Sequence, residues 1–117
     1  MGKLRLQKPK EQFDYRWEDS IITCNYVTIE ERLNLQQRHT KLKNGHEKVN
    51  WSAYMRDLRD RQIEDWGTSV VDDQNQPVPC TAENKMMVPL EIWNEIIEVN
   101  DRAIEAKDQR REDSLKN

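Results

Sequence analysis

Residues 62–81 read Q-I-E-D-W-G-T-S-V-V-D-D-Q-N-Q-P-V-P-C-T, and no long helix or strand can pass through them. Gly67 is free to leave the right-handed region, and the polar run 72–76 favours turns. Pro77 and Pro79 each lack a backbone donor and hold the residue before them extended. This Pro-rich stretch therefore divides the chain. It is expected to be the hinge of a binding domain rather than an active site, because it holds no convergent set of reactive groups. A calcium loop counted from its aspartates would lack the glycine such loops need.

The two sides of the hinge have little apolar material to share. Of 117 residues 35% are hydrophobic and 35% charged, against a usual apolar share of about 45–50% with glycine included. One thin core is all that can be built, and four tryptophans are its obvious anchors. A net charge of −3 argues against a general nucleic-acid or membrane binder. No apolar run reaches the roughly 18–20 residues that span a bilayer. Cys24 and Cys80 stand far apart in a chain without secretory features, so reduced thiols in a cytoplasm are expected.

Before the hinge, Phe13, Tyr15 and Trp17 alternate with Asp14 and Arg16, and Ile22, Cys24 and Tyr26 alternate after the acidic turn 18–20. Period-2 patterning on both sides of a turn predicts a β-hairpin over 12–27. Thr28-Ile29-Glu30-Glu31 has the form of a capping box and opens a helix expected over 28–42, closed by Asn44-Gly45. Arg38, Lys41, Lys43 and Lys48, opposed by Glu47, lie in the following stretch. Without interleaved aromatics or a recognition helix it is expected to be a solvated inter-helix loop. Asn50 caps the next helix, expected over 50–66, whose Trp51, Tyr54, Met55, Leu58, Gln62 and Trp66 share a face. Such a stripe is core far more often than a ligand box.

After the hinge, Thr81 caps a short turn of helix, and Pro89 suits the first position of a last helix. Leu90, Trp93, Ile97, Asn100 and Ile104 form one face of it; Ile92, Ile96, Val99 and Ala103 form a second. That apolar surface is wider than one thin neighbour covers. The expected fold is thus α+β but mostly helical: an N-terminal β-hairpin, then three main helices and the Pro-rich hinge. One domain spans 11–106 (hairpin 12–27, helices 28–42 and 50–66, hinge 67–80, helical 81–106). It lies between a flexible basic arm at 1–10 and a frayed tail at 107–117. The histidines, His39 and His46, lack further ligands at zinc spacing, and phosphate-binding and nucleophile motifs are absent. No catalytic residue, metal or cofactor is expected, and the chain is not expected to be an enzyme.

Y-V-T-I-E-E-R-L at 26–33, I-E-D-W-G at 63–67 and D-D-Q-N-Q-P-V-P-C-T-A-E-N at 72–84 carry a resemblance. In their order and spacing the chain, over about 12–105, resembles the tail assembly chaperones and related minor tail-cluster proteins of long-tailed phages. It departs from them at Gln76, where a glycine often closes the turn. The resemblance implies a non-enzymatic protein of virion morphogenesis in the cytoplasm of an infected or lysogenic bacterium. Its implied partner is the tape measure protein or another tail protein; self-association stays open, and nucleic acid is not expected. It implies partner contacts at Trp93, Ile96, Ile97 and Val99, with adaptable contacts from Met86 and Met87, while Trp51, Leu58 and Trp66 are core. Aspartate at positions 96 and 99 is then expected to leave the fold intact. Two rivals are a small nucleic-acid-associated regulator using the basic stretch 38–48 with the N-terminal arm, and a structural subunit of the virion.

Overall fold

The structure, a computed structural model, describes residues 11–115, with side chains as far as residue 107. The basic arm expected at 1–10 lies outside the described residues. The N-terminal hairpin is present: β1 (Gln12–Trp17) pairs antiparallel with β2 (Ser20–Asn25), Phe13 opposite Cys24 and Tyr15 opposite Ile22. Its turn places Glu18 at a φ of 51°. Helix α1 (Ile29–Arg38) follows, capped by Thr28, whose hydroxyl accepts from the Glu31 backbone N–H at 3.1 Å. The Glu31 carboxylate accepts from that hydroxyl rather than from the Thr28 backbone, so the capping box closes between side chains.

The expectation of a mostly helical chain is overturned here. Among the described residues there are five strands in two small sheets beside four helices. Helix α1 stops at Arg38, four residues short of its expected end at Leu42. The Thr40 hydroxyl donates back to the Gln36 carbonyl at 2.6 Å, and the chain enters a second hairpin, β3 (Thr40–Lys43) and β4 (His46–Val49). Asn44 and Gly45, at φ of 54° and 79°, make its two-residue turn, a pairing whose twist matches a hairpin. The expected solvated loop is a ribbon.

Helix α2 (Trp51–Gln62) starts at its Asn50 cap, where the side chain accepts from the Ala53 N–H at 3.2 Å. It too ends early. Ile63–Asp65 forms β5 and pairs with β2, Ile63 opposite Cys24, so that β2 is the central strand of β1-β2-β5. Asn25 makes the abrupt change possible: its amide donates to the Arg61 carbonyl at 2.9 Å and to the Glu64 carboxylate at 2.8 Å. One carbonyl left over at the helix end is thereby satisfied, and Ile63 becomes fully buried.

The hinge stretch is fastened down. Ser69 exchanges hydrogen bonds with Ile21, its hydroxyl accepting from the N–H and donating to the carbonyl, both at 3.0 Å. The Asp72 carboxylate accepts from the N–H groups of Gln74 and Gln76 at 2.8 and 2.9 Å. Asn75 takes the left-handed position at a φ of 59°, and Val71 bridges Pro77. Thr81 caps α3 (Ala82–Lys85), and a turn leads into α4 (Leu90–Leu115), which continues beyond the end expected near Ala106. The core is correspondingly thin: Ile22, Cys24, Val27, Leu35, Leu58, Ile63, Trp66, Trp93 and Ile96. Trp51, expected within it, is 58% exposed.

Candidate functional site

Two buried polar arrangements fix the part of the molecule where partner contacts are expected. The first lies where α4 crosses α2 and the chain leaving β2. Asn100, fully buried, accepts the Val27 N–H at 2.8 Å and the Gln62 side-chain N–H at 3.0 Å. Its own amide donates to the Val27 carbonyl at 2.9 Å. Asn100 thus serves Val27 as a neighbouring strand would, after β2 has ended. Gln62 also donates to the Asn25 carbonyl at 3.2 Å, which ties three segments together through two amides. Around this knot, Arg32 of α1 pairs with Asp101, and the Tyr15 hydroxyl of β1 donates to Glu95.

The second arrangement is a clamp. Arg59 is 6% exposed, and its guanidinium lies over the Trp93 ring at 5.1 Å. One of its nitrogens donates to the carbonyls of Lys85, Met86 and Val88 at 3.3, 3.0 and 3.0 Å. Burial pulls the Arg59 pKa downward, and the three carbonyl dipoles and the ring compensate the buried cation. Lys85 reaches back the other way, donating to the Asp60 backbone carbonyl and carboxylate at 3.1 Å each. The α3–α4 turn is therefore held from both sides by one turn of α2.

On this frame the six residues expected to bind a partner fall apart. Trp93 and Ile96 are core, 2% and 0% exposed, and an aspartate at Ile96 would bury a charge in that core rather than leave the fold intact. Met86 and Met87 stand on the clamped turn, and Met87 is 77% exposed. Ile97 is half-buried on the side of α4 that carries Asp101. Val99 is exposed, two residues and so about 200° further round the helix, on the opposite side. No single surface contains all six. Leu90, which opens α4 three residues after Met87, is 62% exposed.

Arg59 is the residue that sequence reasoning missed. It belongs to the charged side of α2, and nothing in its spacing marks it as buried. Gln62 and Asn100 did leave a signal: each interrupts an otherwise apolar stripe, and a polar residue in such a place must find partners inside. Among the described residues no group of three or more His, Cys, Asp or Glu side chains is arranged to hold a metal ion. No helix among them is long and apolar enough to cross a membrane. Comparison of the chain with protein-family models, with curated proteins and with solved structures finds no match.

Proposed function

We propose that the chain is a non-enzymatic protein-binding module of the tail assembly chaperone type, which covers an amphipathic helix of a tape measure or other tail protein during tail assembly. What supports this reading is the part played by the residues that carry the resemblance. Trp66 is buried and its indole N–H donates to the Val78 carbonyl at 2.6 Å. Asp72 organises the turn, Thr81 caps α3, and the Asn84 amide donates to the Pro79 carbonyl at 2.8 Å. Those residues act as one unit that delivers the chain to the Arg59 clamp with Met86, Met87 and Leu90 outward.

Such a surface suits the task. Methionine side chains adapt to irregular apolar partners, and an amphipathic helix offers anchors at matching spacing. A turn already clamped has little ordering entropy left to lose on binding. The test is co-expression with the long helical tail protein, followed by co-purification. That protein is expected to become soluble with the native chain and to stay insoluble with a Met87→Asp/Leu90→Asp variant of unchanged thermal midpoint. Insolubility alongside the native chain overturns the chaperone reading; rescue by the folded double variant overturns the surface. Presence of the chain in finished particles would instead make it a structural subunit.

A further inference from the structure

The β3–β4 ribbon contributes nothing to the core, since of its residues only Thr40 and Val49 are even half-buried. A lone two-stranded ribbon is marginal in water, and this one bears an added cost. Its register sets Lys41 opposite Lys48 and Lys43 opposite His46. The pleat gathers those four side chains on one face and turns Leu42 and Glu47 to the other. Like charges directly opposite destabilise a ribbon. Among the described residues no carboxylate pairs with Lys41, Lys43 or Lys48. The nearby Asp57 is already engaged by His39, Arg61 and Arg38 at 3.0, 3.3 and 3.8 Å.

The lysines do not simply face solvent. With Arg38 they line a groove of about 660 Å³ whose other wall is the start of α2, with Asn50, Trp51 and Ser52. Trp51 is 58% exposed and braced edge-on by Tyr54, the ring centroids 5.7 Å apart and the planes at 86°. The aromatic that the sequence of the basic stretch lacks is supplied by the next helix.

We propose that this groove binds single-stranded nucleic acid, the ribbon lysines and Arg38 holding phosphates while Trp51 stacks on a base. Phosphates between Lys41 and Lys48 would relieve the repulsion that the register imposes, and a braced, exposed indole is the platform on which bases of any sequence stack. The groove is separate from the α3–α4 turn, so the two sites stand or fall independently.

The test is fluorescence anisotropy of the full chain with labelled oligo-dT and oligo-rU of about 20 nucleotides. With four phosphates neutralised, at a slope of roughly −0.7 for each, affinity should fall about fifty-fold between about 50 and about 200 mM salt. Trp51→Ala should weaken binding at least about fivefold and leave the salt slope alone. Lys41→Gln/Lys43→Gln/Lys48→Gln should flatten the slope. All these residues are exposed, so thermal midpoints no lower than that of the native chain show that the variants fold. The two oligomers distinguish a DNA from an RNA ligand. No binding by the native chain at low salt overturns the proposal, as does binding untouched by both variants. So does a duplex bound as tightly as the single strand with Trp51→Ala silent, or binding to anionic phospholipid vesicles alone.

Discussion

Replacing Asn100 by alanine should remove a large part of the stability of this chain. Its side chain is fully buried and serves both backbone groups of Val27, itself only 2% exposed. Alanine strands that N–H and that carbonyl inside the core, at about 1–3 kcal/mol for each buried group left unpaired. Gln62 keeps its bond to the Asn25 carbonyl and adds little. The expected loss is about 3–5 kcal/mol, against about 5–15 kcal/mol for a whole domain. In urea, followed by the fluorescence of the buried Trp66 and Trp93, the midpoint should fall by roughly 2–3 M at a slope of about 1.5 kcal/mol per M. Asn100→Asp adds a control on mechanism. Its carboxylate can still accept but meets the Val27 carbonyl without a proton, so burial and that carbonyl raise its pKa in the fold. Stability of this variant should be greatest below the ordinary carboxylate pKa and decline as pH rises through the raised one. A loss below about 1 kcal/mol for Asn100→Ala would refute the reading that this residue substitutes for a strand.

Arg59→Leu should release the α3–α4 turn, because three carbonyls lose their shared donor; thermolysin is expected to cleave the native variant near Met86-Met87-Val88, and unchanged resistance would refute the clamp. Burial, followed by the charges of Asp14 and Cys80, pushes the Cys24 thiol up to about 12, whereas Cys80 is partly accessible. Iodoacetamide should therefore modify Cys80 slowly in the native chain and Cys24 only on unfolding, a pattern that peptide mass mapping reads directly. For Asp57, burial raises the pKa, but hydrogen bonds from His39 and Arg61 outweigh it and the net direction is down. A depressed carboxyl stabilises the fold above its unfolded value, so the advantage of the native chain over Asp57→Asn should hold at neutral pH and disappear as pH falls through the region below about 4. An advantage that persists into strong acid would sink this assignment.

The N-terminal hairpin and the caps at Thr28, Asn50 and Thr81 were legible because they rest on local physics: alternation on a pleat, and a side-chain oxygen placed before a helix. The β3–β4 ribbon was not. Asn44-Gly45 serves equally as a helix stop and as a hairpin turn, both of which need positive φ, and Leu42 alone gives too little apolar alternation to choose between them. Strand β5 was hidden for a different reason. Ile63 and Trp66 prolong the helical stripe of α2, and only the free edge of β2, a long-range feature, pulls Ile63 into a sheet. For α4, the two apolar faces overstated what is buried: Trp93, Ile96 and Asn100 face the interior, while Val99 and Leu90 lie outside it. Periodicity marks which residues can be covered, and a core as thin as this one leaves several of them bare.

Helix α2 connects the two proposed surfaces. Its first turn carries Trp51 into the basic groove, and Arg59, eight residues on and about 12 Å along the axis, clamps the methionine turn. A rigid helix of that length could couple the two sites mechanically, but coupling requires an element with two arrangements that both ligands bias. Asn50 fixes one end of α2, and Asn25 with Gln62 fixes the other in the core. Nothing in that bonding offers the helix a second seat. Oligonucleotide and helical partner should consequently bind without mutual effect, each affinity unchanged when the other ligand is saturating. If saturating oligonucleotide shifted partner affinity tenfold, about 1.4 kcal/mol of coupling, α2 would have to possess a second position, and the knot at Asn100 is where it would have to give.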